Sequence, residues 1–154
     1  MNEMNPLTID ALEICLKETE ETLRSADSAF LKEPISYLKS HLPEFLYVES
    51  PDFDDYKVDS LVIEVDDIFG TYMVLFGLQG KKKEGDAIRS YIESILQQQL
   101  IGFSISFSDN EGLWEVNMPL DPIEGFEESM PIEQVLQLLH QALDGLRNQM
   151  KAGK

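Results

Sequence analysis

The sequence predicts an α+β domain in which helices pack on a five-stranded antiparallel sheet, with the element order α-α-β-β-β-α-β-β-α. Three observations predict this class. Apolar and polar residues alternate over residues 101–107 and 113–118, as in a β-hairpin. Apolar residues recur at helical spacing over residues 86–96 and 131–150. Between residues 45 and 78, apolar runs separated by turn residues indicate three consecutive strands.

The size and apolar content of the chain predict one hydrophobic core. Its 154 residues, 43% of them hydrophobic, suit a domain that buries roughly 70% of its unfolded surface. We expect residues 1–154 to form a single domain. A helical N-terminal segment over residues 1–43 would precede an α+β core over residues 44–150.

Two helices are expected before the first strand. Thr8 can cap a first helix that ends near Ser25. Its apolar residues lie near one stripe of such a helix: Ile9, Leu12, Leu16 and Leu23. Pro34 suits the first position of a short second helix that extends through Ser40, and Pro43 prevents its continuation. Ile35, Leu38 and Leu42 would face inward.

Three antiparallel strands are expected next, at residues 45–48, 58–66 and 71–78, with a loop at residues 50–56. Three apolar residues share one face of the second strand: Leu61, Ile63 and Val65. The third strand is almost continuously apolar, which favours a central position in the sheet.

The second half of the chain alternates clear helical and strand patterns. Asp86 is expected to cap a helix with these inward residues: Ile88, Tyr91, Ile92, Ile95 and Leu96. The hairpin would bury two sets of side chains: Ile101, Phe103, Ile105 and Phe107, then Trp114, Val116 and Met118. After an acidic linker, Pro131 begins the last helix. Its inward stripe comprises Ile132, Val135, Leu136, Leu139, Ala142, Leu143, Leu146 and Met150.

The charge of the chain limits its possible partners. A net charge of −17, from 29 acidic and 12 basic residues, repels nucleic-acid phosphates and anionic lipid but attracts basic proteins. We therefore expect a protein partner, with neither nucleic acid nor membrane; solubility alone is the alternative reason for the acidity. No apolar run reaches roughly 18 residues, and residues 1–10 lack signal-peptide features, so a cytoplasmic location is expected.

Catalytic and metal-binding signatures do not occur in the sequence. Cys15 is the only cysteine, and with His41 and His140 it shows no zinc-site spacing. We interpret Cys15 as a half-buried structural thiol and both histidines as surface or boundary residues. No P-loop, dinucleotide fingerprint, G-x-S-x-G elbow or H-E-x-x-H motif is present. We therefore expect no cofactor, no metal and no enzymatic activity.

Two charged segments are candidate contact surfaces. Residues 49–67 are strongly acidic, and six aspartates there are candidate partner-binding residues: Asp52, Asp54, Asp55, Asp59, Asp66 and Asp67. Simple solvation is the alternative interpretation of these aspartates. Residues 81–83 are the only lysine cluster, which would either bind a phosphate or an acidic partner or form a solvated loop.

The element order of residues 45–150 resembles the fold shared by type III secretion chaperones and YbjN-like proteins. Low mass, acidity and the step from Met118-Pro119-Leu120 through a linker to an amphipathic helix are also similar to that group. The resemblance implies a non-enzymatic, cytoplasmic, often homodimeric bacterial protein that holds an extended client segment.

Three functional hypotheses follow. The first is a protein-binding module of chaperone or adaptor type, which uses acidic patches and exposed sheet edges. The second is an immunity or antitoxin protein that covers a basic toxin. The third is an enzyme with an unrecognised carboxylate site.

Overall fold

The strands of the protein form one sheet, and its helices pack on that sheet. The computed structural model describes residues 7–97, 99 and 102–152. The strands are β1 (Ala11–Leu16), β2 (Thr22–Ser25), β3 (Glu44–Glu49), β4 (Leu61–Val65), β5 (Tyr72–Gln79), β6 (Ser104–Ser108) and β7 (Leu113–Pro119). The helices are α1 (Tyr37–Ser40), α2 (Phe53–Tyr56), α3 (Gly85–Ile95) and α4 (Ile132–Ala152). Short 3-10 turns occupy Phe30–Lys32 and Lys82–Glu84.

The strands form one antiparallel sheet in the order β2-β1-β3-β4-β5-β7-β6. The predicted α+β class is confirmed, as are the three consecutive strands β3, β4 and β5 and the β6–β7 hairpin. The predicted number of strands is wrong, because the described sheet has seven strands and not five. Strand β5 is an interior strand, between β4 and β7.

The predicted first helix is wrong, because its residues form the β1–β2 hairpin. Leu12 and Ile14 alternate with Glu13 and point into the core, so the segment also fits a period of two. All six residues of β1 pair with β3. This pairing satisfies the backbone groups of β3 that would otherwise form an open edge. Residues 1–43 are therefore not a helical segment.

The predicted second helix begins later and is shorter than expected. Pro34 is not its first residue but forms a bridge with Pro131, and the Ile35 N–H donates to the Met130 carbonyl at 2.8 Å. Ile35 and Leu38 are buried as predicted, whereas Leu42 is exposed. The predicted loop at residues 50–56 contains the short helix α2.

Several predicted boundaries also shift. Val58 lies outside β4 and forms an isolated bridge with Leu78. Glu84 and not Asp86 is the N-cap of α3, because Lys82–Glu84 forms a 3-10 turn directly before the helix. Ile101 lies outside the described residues, and β6 begins at Ser104.

One face of the sheet packs with the helices into the hydrophobic core. The predicted inward residues Leu61, Ile63 and Val65 of β4 are buried there. Helices α3 and α4 contribute the following residues: Ile88, Ile92, Val135, Leu139, Leu143 and Leu146. Each fully buried aliphatic side chain contributes about 1.5–3 kcal/mol of gross transfer free energy. Among the helices of the described ranges, none is long and apolar enough to cross a membrane.

Candidate functional site

The six candidate aspartates do not form one surface. Asp52, Asp54 and Asp55 surround the start of α2, and Asp59 lies just before β4. Asp66 and Asp67 follow β4, in the turn to β5. At 3.3 Å per residue, the strand separates Asp59 from Asp66 by roughly 23 Å. The structure therefore divides the acidic stretch between two ends of the sheet.

Four of these aspartates have partners within the protein. The Thr8 N–H donates to Asp52 at 2.9 Å, and the Gly77 N–H donates to Asp59 at 2.8 Å. The Phe69 N–H donates to Asp66 at 2.7 Å. Lys17 Nζ lies 2.8 Å from Asp67 Oδ1. Within the described part of the chain, Asp54 and Asp55 are the two of the six that form no such contact, and partner binding by the six aspartates stays a prediction.

The face of the sheet opposite the core is open to solvent and concave. A depression of about 640 Å³ lies on it. Its lining comprises Glu13, Cys15, Lys17, Glu20, Thr22, Phe45, Tyr47, Glu49, Val62, Glu64 and Leu75. A smaller depression of about 390 Å³ continues it toward β7 and shares Val62 and Leu75 with the first. We call this surface the open face.

Strand register places a row of side chains across the open face. Glu13 is opposite Tyr47, and Tyr47 is opposite Val62. Val62 is in turn opposite Leu75, and Leu75 is opposite Asn117. All these side chains except Asn117 line the first depression, and none of the five is fully buried. Neighbouring strands are about 4.8 Å apart, so Tyr47, Val62 and Leu75 form a continuous apolar strip about 10 Å long.

Acidic side chains surround this apolar strip. The first depression contains four glutamates against one lysine, Lys17. Lys17 Nζ donates to the Val65 carbonyl at 2.6 Å and to Asp67 at 2.8 Å, and it lies 3.7 Å from Glu64. Because the lysine is already engaged by these groups, the open face has a negative potential.

Tyr47 and Glu49 are directly coupled on the open face. The Tyr47 hydroxyl donates to the Glu49 carboxylate. Burial, the hydrogen bond to Glu49 and the negative charge of Glu49 together raise the pKa of Tyr47 to about 12, and burial is the largest of these causes. Tyr47 is therefore a neutral hydrogen-bond donor near neutral pH.

The edges of the sheet are also accessible. Strand β2 pairs only with β1 in the described sheet, and its four residues are all exposed. The turn between β4 and β5 exposes Ile68 and Phe69, each at 81%. Exposed apolar side chains and an unpaired strand edge are each a physical basis for contact with another chain.

The lysine cluster contributes to a third depression, of about 560 Å³, on a different part of the surface. Lys81 and Lys83 line it together with Lys57 and Arg147. We call these four residues and the space between them the basic pocket. Lys57 and Arg147 were not singled out from the sequence, because they are 24 and 66 residues from Lys81 and carry no local motif.

The single cysteine and the two histidines have structural environments. Cys15 is buried at the floor of the open face, with its Sγ 3.8 Å from Thr22 Oγ1. His140 was predicted as a surface or boundary residue but is buried, and its Nε2 is 2.7 Å from the Tyr56 hydroxyl. His41 stacks on Tyr37 at a centroid distance of 3.9 Å. Over residues 7–97, 99 and 102–152, no group of three or more His, Cys, Asp or Glu side chains is arranged to hold a metal ion.

The resemblance to secretion chaperones and YbjN-like proteins stays a prediction based on element order. No protein-family model matches the chain, and no curated protein or solved structure matches it either.

Proposed function

We propose that the protein is a protein-binding module of chaperone or adaptor type that holds an extended, basic and apolar client segment on the open face. The observation that supports this is the apolar strip of Tyr47, Val62 and Leu75, half-exposed and surrounded by glutamates. On the side of an extended segment that faces the sheet, apolar side chains would pack on the strip and basic side chains next along that side would reach the surrounding glutamates.

The dimensions of the open face favour a segment over a folded partner. The five neighbouring strands β1-β3-β4-β5-β7 span roughly 20 Å across the sheet. Five residues along each strand span roughly 17 Å. The resulting footprint is on the order of 350 Å², well below the roughly 800 Å² per partner of a stable interface. A peptide segment bound transiently fits this footprint, and a second copy of the chain held by this face alone does not.

Charge favours a basic segment. The glutamates of the open face act within a chain of net charge −17, which raises the encounter rate with a basic partner. Solvent-exposed ion pairs contribute only about 0–1 kcal/mol each, so the apolar strip must supply much of the affinity. Binding is therefore expected to weaken with salt but to depend on Val62 and Leu75.

The test compares capture by the wild-type chain with capture by an open-face variant. Tagged protein is incubated with lysate of its native cell, and bound proteins are identified by mass spectrometry. The variant Val62→Lys with Leu75→Lys removes apolar surface and introduces repulsion of a basic client. The control Gln141→Lys adds one positive charge at an exposed position of α4, away from the open face. Circular dichroism establishes that each variant is folded.

We expect partners to be retained by wild type and Gln141→Lys, lost from the double variant and released by salt. Overlapping peptides of a captured partner should then bind as a short basic and apolar segment. Equal capture by the double variant would exclude the open face as the site. A folded basic enzyme inhibited one-to-one would instead indicate an immunity protein.

A further inference from the structure

We propose that the basic pocket binds a small phosphorylated molecule with two or more negative charges. The pocket is separate from the open face, and the proposal does not depend on client binding. Its four cations come from three distant parts of the chain: Lys57 follows α2, Lys81 and Lys83 follow β5, and Arg147 belongs to α4. Only the folded chain brings them together.

The cations of the basic pocket form no ion pair with an acidic side chain in the described part of the protein. The chain has 29 acidic and 12 basic residues. The ion pairs of the described residues involve Lys17, Lys32 and Lys39. Lys57, Lys81, Lys83 and Arg147 form no ion pair within 4.0 Å among the described residues. Four of the twelve cations therefore create a local positive potential on an acidic molecule.

The one acid in the lining does not neutralise the basic pocket by a direct ion pair. Glu84 Oε1 accepts a hydrogen bond from the Lys81 backbone N–H at 2.6 Å. This contact fixes the turn that leads into α3 and leaves the Lys81 side chain available. Four cations and one carboxylate give a local charge of about +3, which is complementary to the negative charge of a multivalent phosphate.

The backbone around the basic pocket is held firmly. The Gln79 N–H donates to the Lys57 carbonyl at 2.8 Å, which ties Lys57 to the end of β5. Trp114 Nε1 donates to the Lys81 carbonyl at 3.1 Å. The indole also packs beneath Gly85, where an added Cβ would approach Trp114 Cη2 to 2.6 Å. The segments that carry the cations are thus positioned before any ligand binds.

Arg147 supplies a donor that has no acceptor within the described part of the protein. Its Nε atom is shielded from solvent and has no hydrogen-bond partner there. A guanidinium group binds phosphate through two parallel N–H groups, which include Nε in the side-on arrangement. A phosphate reached by a small rotation of the guanidinium would provide the missing acceptor.

The size of the basic pocket and the charge of its surroundings select a small ligand. A volume of about 560 Å³ lies within the range of roughly 300–1,000 Å³ typical of small-molecule sites. Ala87 and Met150 add apolar lining for an uncharged part of the ligand. A nucleic acid or an anionic membrane would extend beyond the cations and meet a molecule of net charge −17. A small polyanion contacts the cations alone.

Isothermal titration calorimetry with pyrophosphate and with adenosine triphosphate, without divalent cations and at low ionic strength, tests the proposal. We expect a Kd on the order of 0.1 mM for at least one of the two probes, with weaker binding as salt rises. Arg147→Gln and Lys57→Gly should each weaken binding by about fivefold to tenfold. Lys57 has a φ of +63°, so glycine at this position suits the backbone and keeps the variant folded.

Lys32→Gln is the matched control, because it removes one positive charge whose ion pair with Glu133 lies away from the basic pocket. Its affinity should stay within about twofold of wild type. Equal weakening by all three substitutions would show a nonspecific charge effect and overturn the proposal. Absence of binding of both probes at millimolar concentration would overturn it as well. Tighter binding of a single-stranded oligonucleotide than of either probe would also overturn the proposal, because it would identify a nucleic acid as the preferred ligand.

Discussion

The carboxylate of Asp59 holds two neighbouring strands together where β4 begins. Its Oδ1 accepts hydrogen bonds from the Ser60 N–H at 2.6 Å and the Gly77 N–H at 2.8 Å. A Cβ at Gly77 would approach Asp59 Oδ2 to 2.5 Å, so the missing side chain leaves room for this contact. Asp54 has no comparable partner among the described residues. Asp59 and Asp54, which look equivalent in the sequence, therefore differ in their structural role.

Removal of the Asp59 carboxylate should destabilise the protein more than removal of the Asp54 carboxylate. Asp59→Ala leaves two N–H groups without an acceptor and should lower the free energy of unfolding by about 1–2 kcal/mol. Asp54→Ala should change it by less than about 0.5 kcal/mol. Asp59→Asn retains an acceptor oxygen and should recover part of the loss. Urea denaturation provides the measurement, and equal effects of the two alanine substitutions would contradict it.

The raised pKa of Tyr47, about 12, predicts a loss of stability at alkaline pH. The unfolded tyrosine has a pKa near 10, so between these values the folded state retains a proton that the unfolded state releases. The stability contributed by this proton is fully present below about pH 10 and is lost as the pH rises toward about 12. Urea midpoints measured over this range should fall less steeply for Tyr47→Phe. Identical alkaline slopes would exclude this role for Tyr47.

At the scale of elements, the β1–β2 hairpin extends the sheet beyond β3. Strand β1 pairs with β3 along its full length and directs Leu12 and Ile14 into the core. A helix over the same residues would instead bury Leu23, which is 45% exposed in the hairpin. The two arrangements thus predict opposite sensitivities at Ile14 and Leu23.

Alanine substitution distinguishes these arrangements. Ile14→Ala removes a fully buried side chain and should lower the free energy of unfolding by about 2–5 kcal/mol. Leu23→Ala should change it by less than about 0.5 kcal/mol, because the side chain contacts solvent. Chemical denaturation monitored by circular dichroism checks both values. A larger loss for Leu23→Ala would favour the helix.

At the scale of the whole molecule, excess negative charge opposes the compact state. The net charge is −17, and the four ion pairs within the described ranges engage only Lys17, Lys32 and Lys39. Two of these lysines connect distant segments, Lys32 to Glu133 and Lys39 to Glu128. Such exposed pairs contribute at most about 1 kcal/mol each, so self-repulsion among the remaining acids should dominate the response to salt.

Added salt should therefore stabilise the protein at neutral pH. Raising the ionic strength from about 0.01 M to 0.15 M shortens the Debye length from about 30 Å to 8 Å and weakens the repulsion. The thermal unfolding midpoint should rise with sodium chloride over this range. The control is the same titration near pH 4.3, the isoelectric point of the sequence, where the effect should nearly vanish. A midpoint that falls with salt at neutral pH would show that the ion pairs dominate.

The sequence by itself determined the elements whose apolar residues follow a single period. Helices α3 and α4 and strands β3, β4, β5 and β7 were predictable, because period 3.6 or period 2 is unambiguous in their residues. The open antiparallel sheet with helices followed from their order. Locally, the aspartates could be recognised as acids but not separated into structural and free carboxylates.

Only the tertiary structure decided the remaining features. Leu12 and Leu16 fit a helical stripe with Ile9 and Leu23 and also a strand face with Ile14, and the unpaired edge of β3 selects the strand. The strip of Tyr47, Val62 and Leu75 depends on the pairing register of three strands. The basic pocket depends on segments far apart in the chain. Periodicity reports which face of an element is apolar, whereas long-range pairing determines which faces and charges meet.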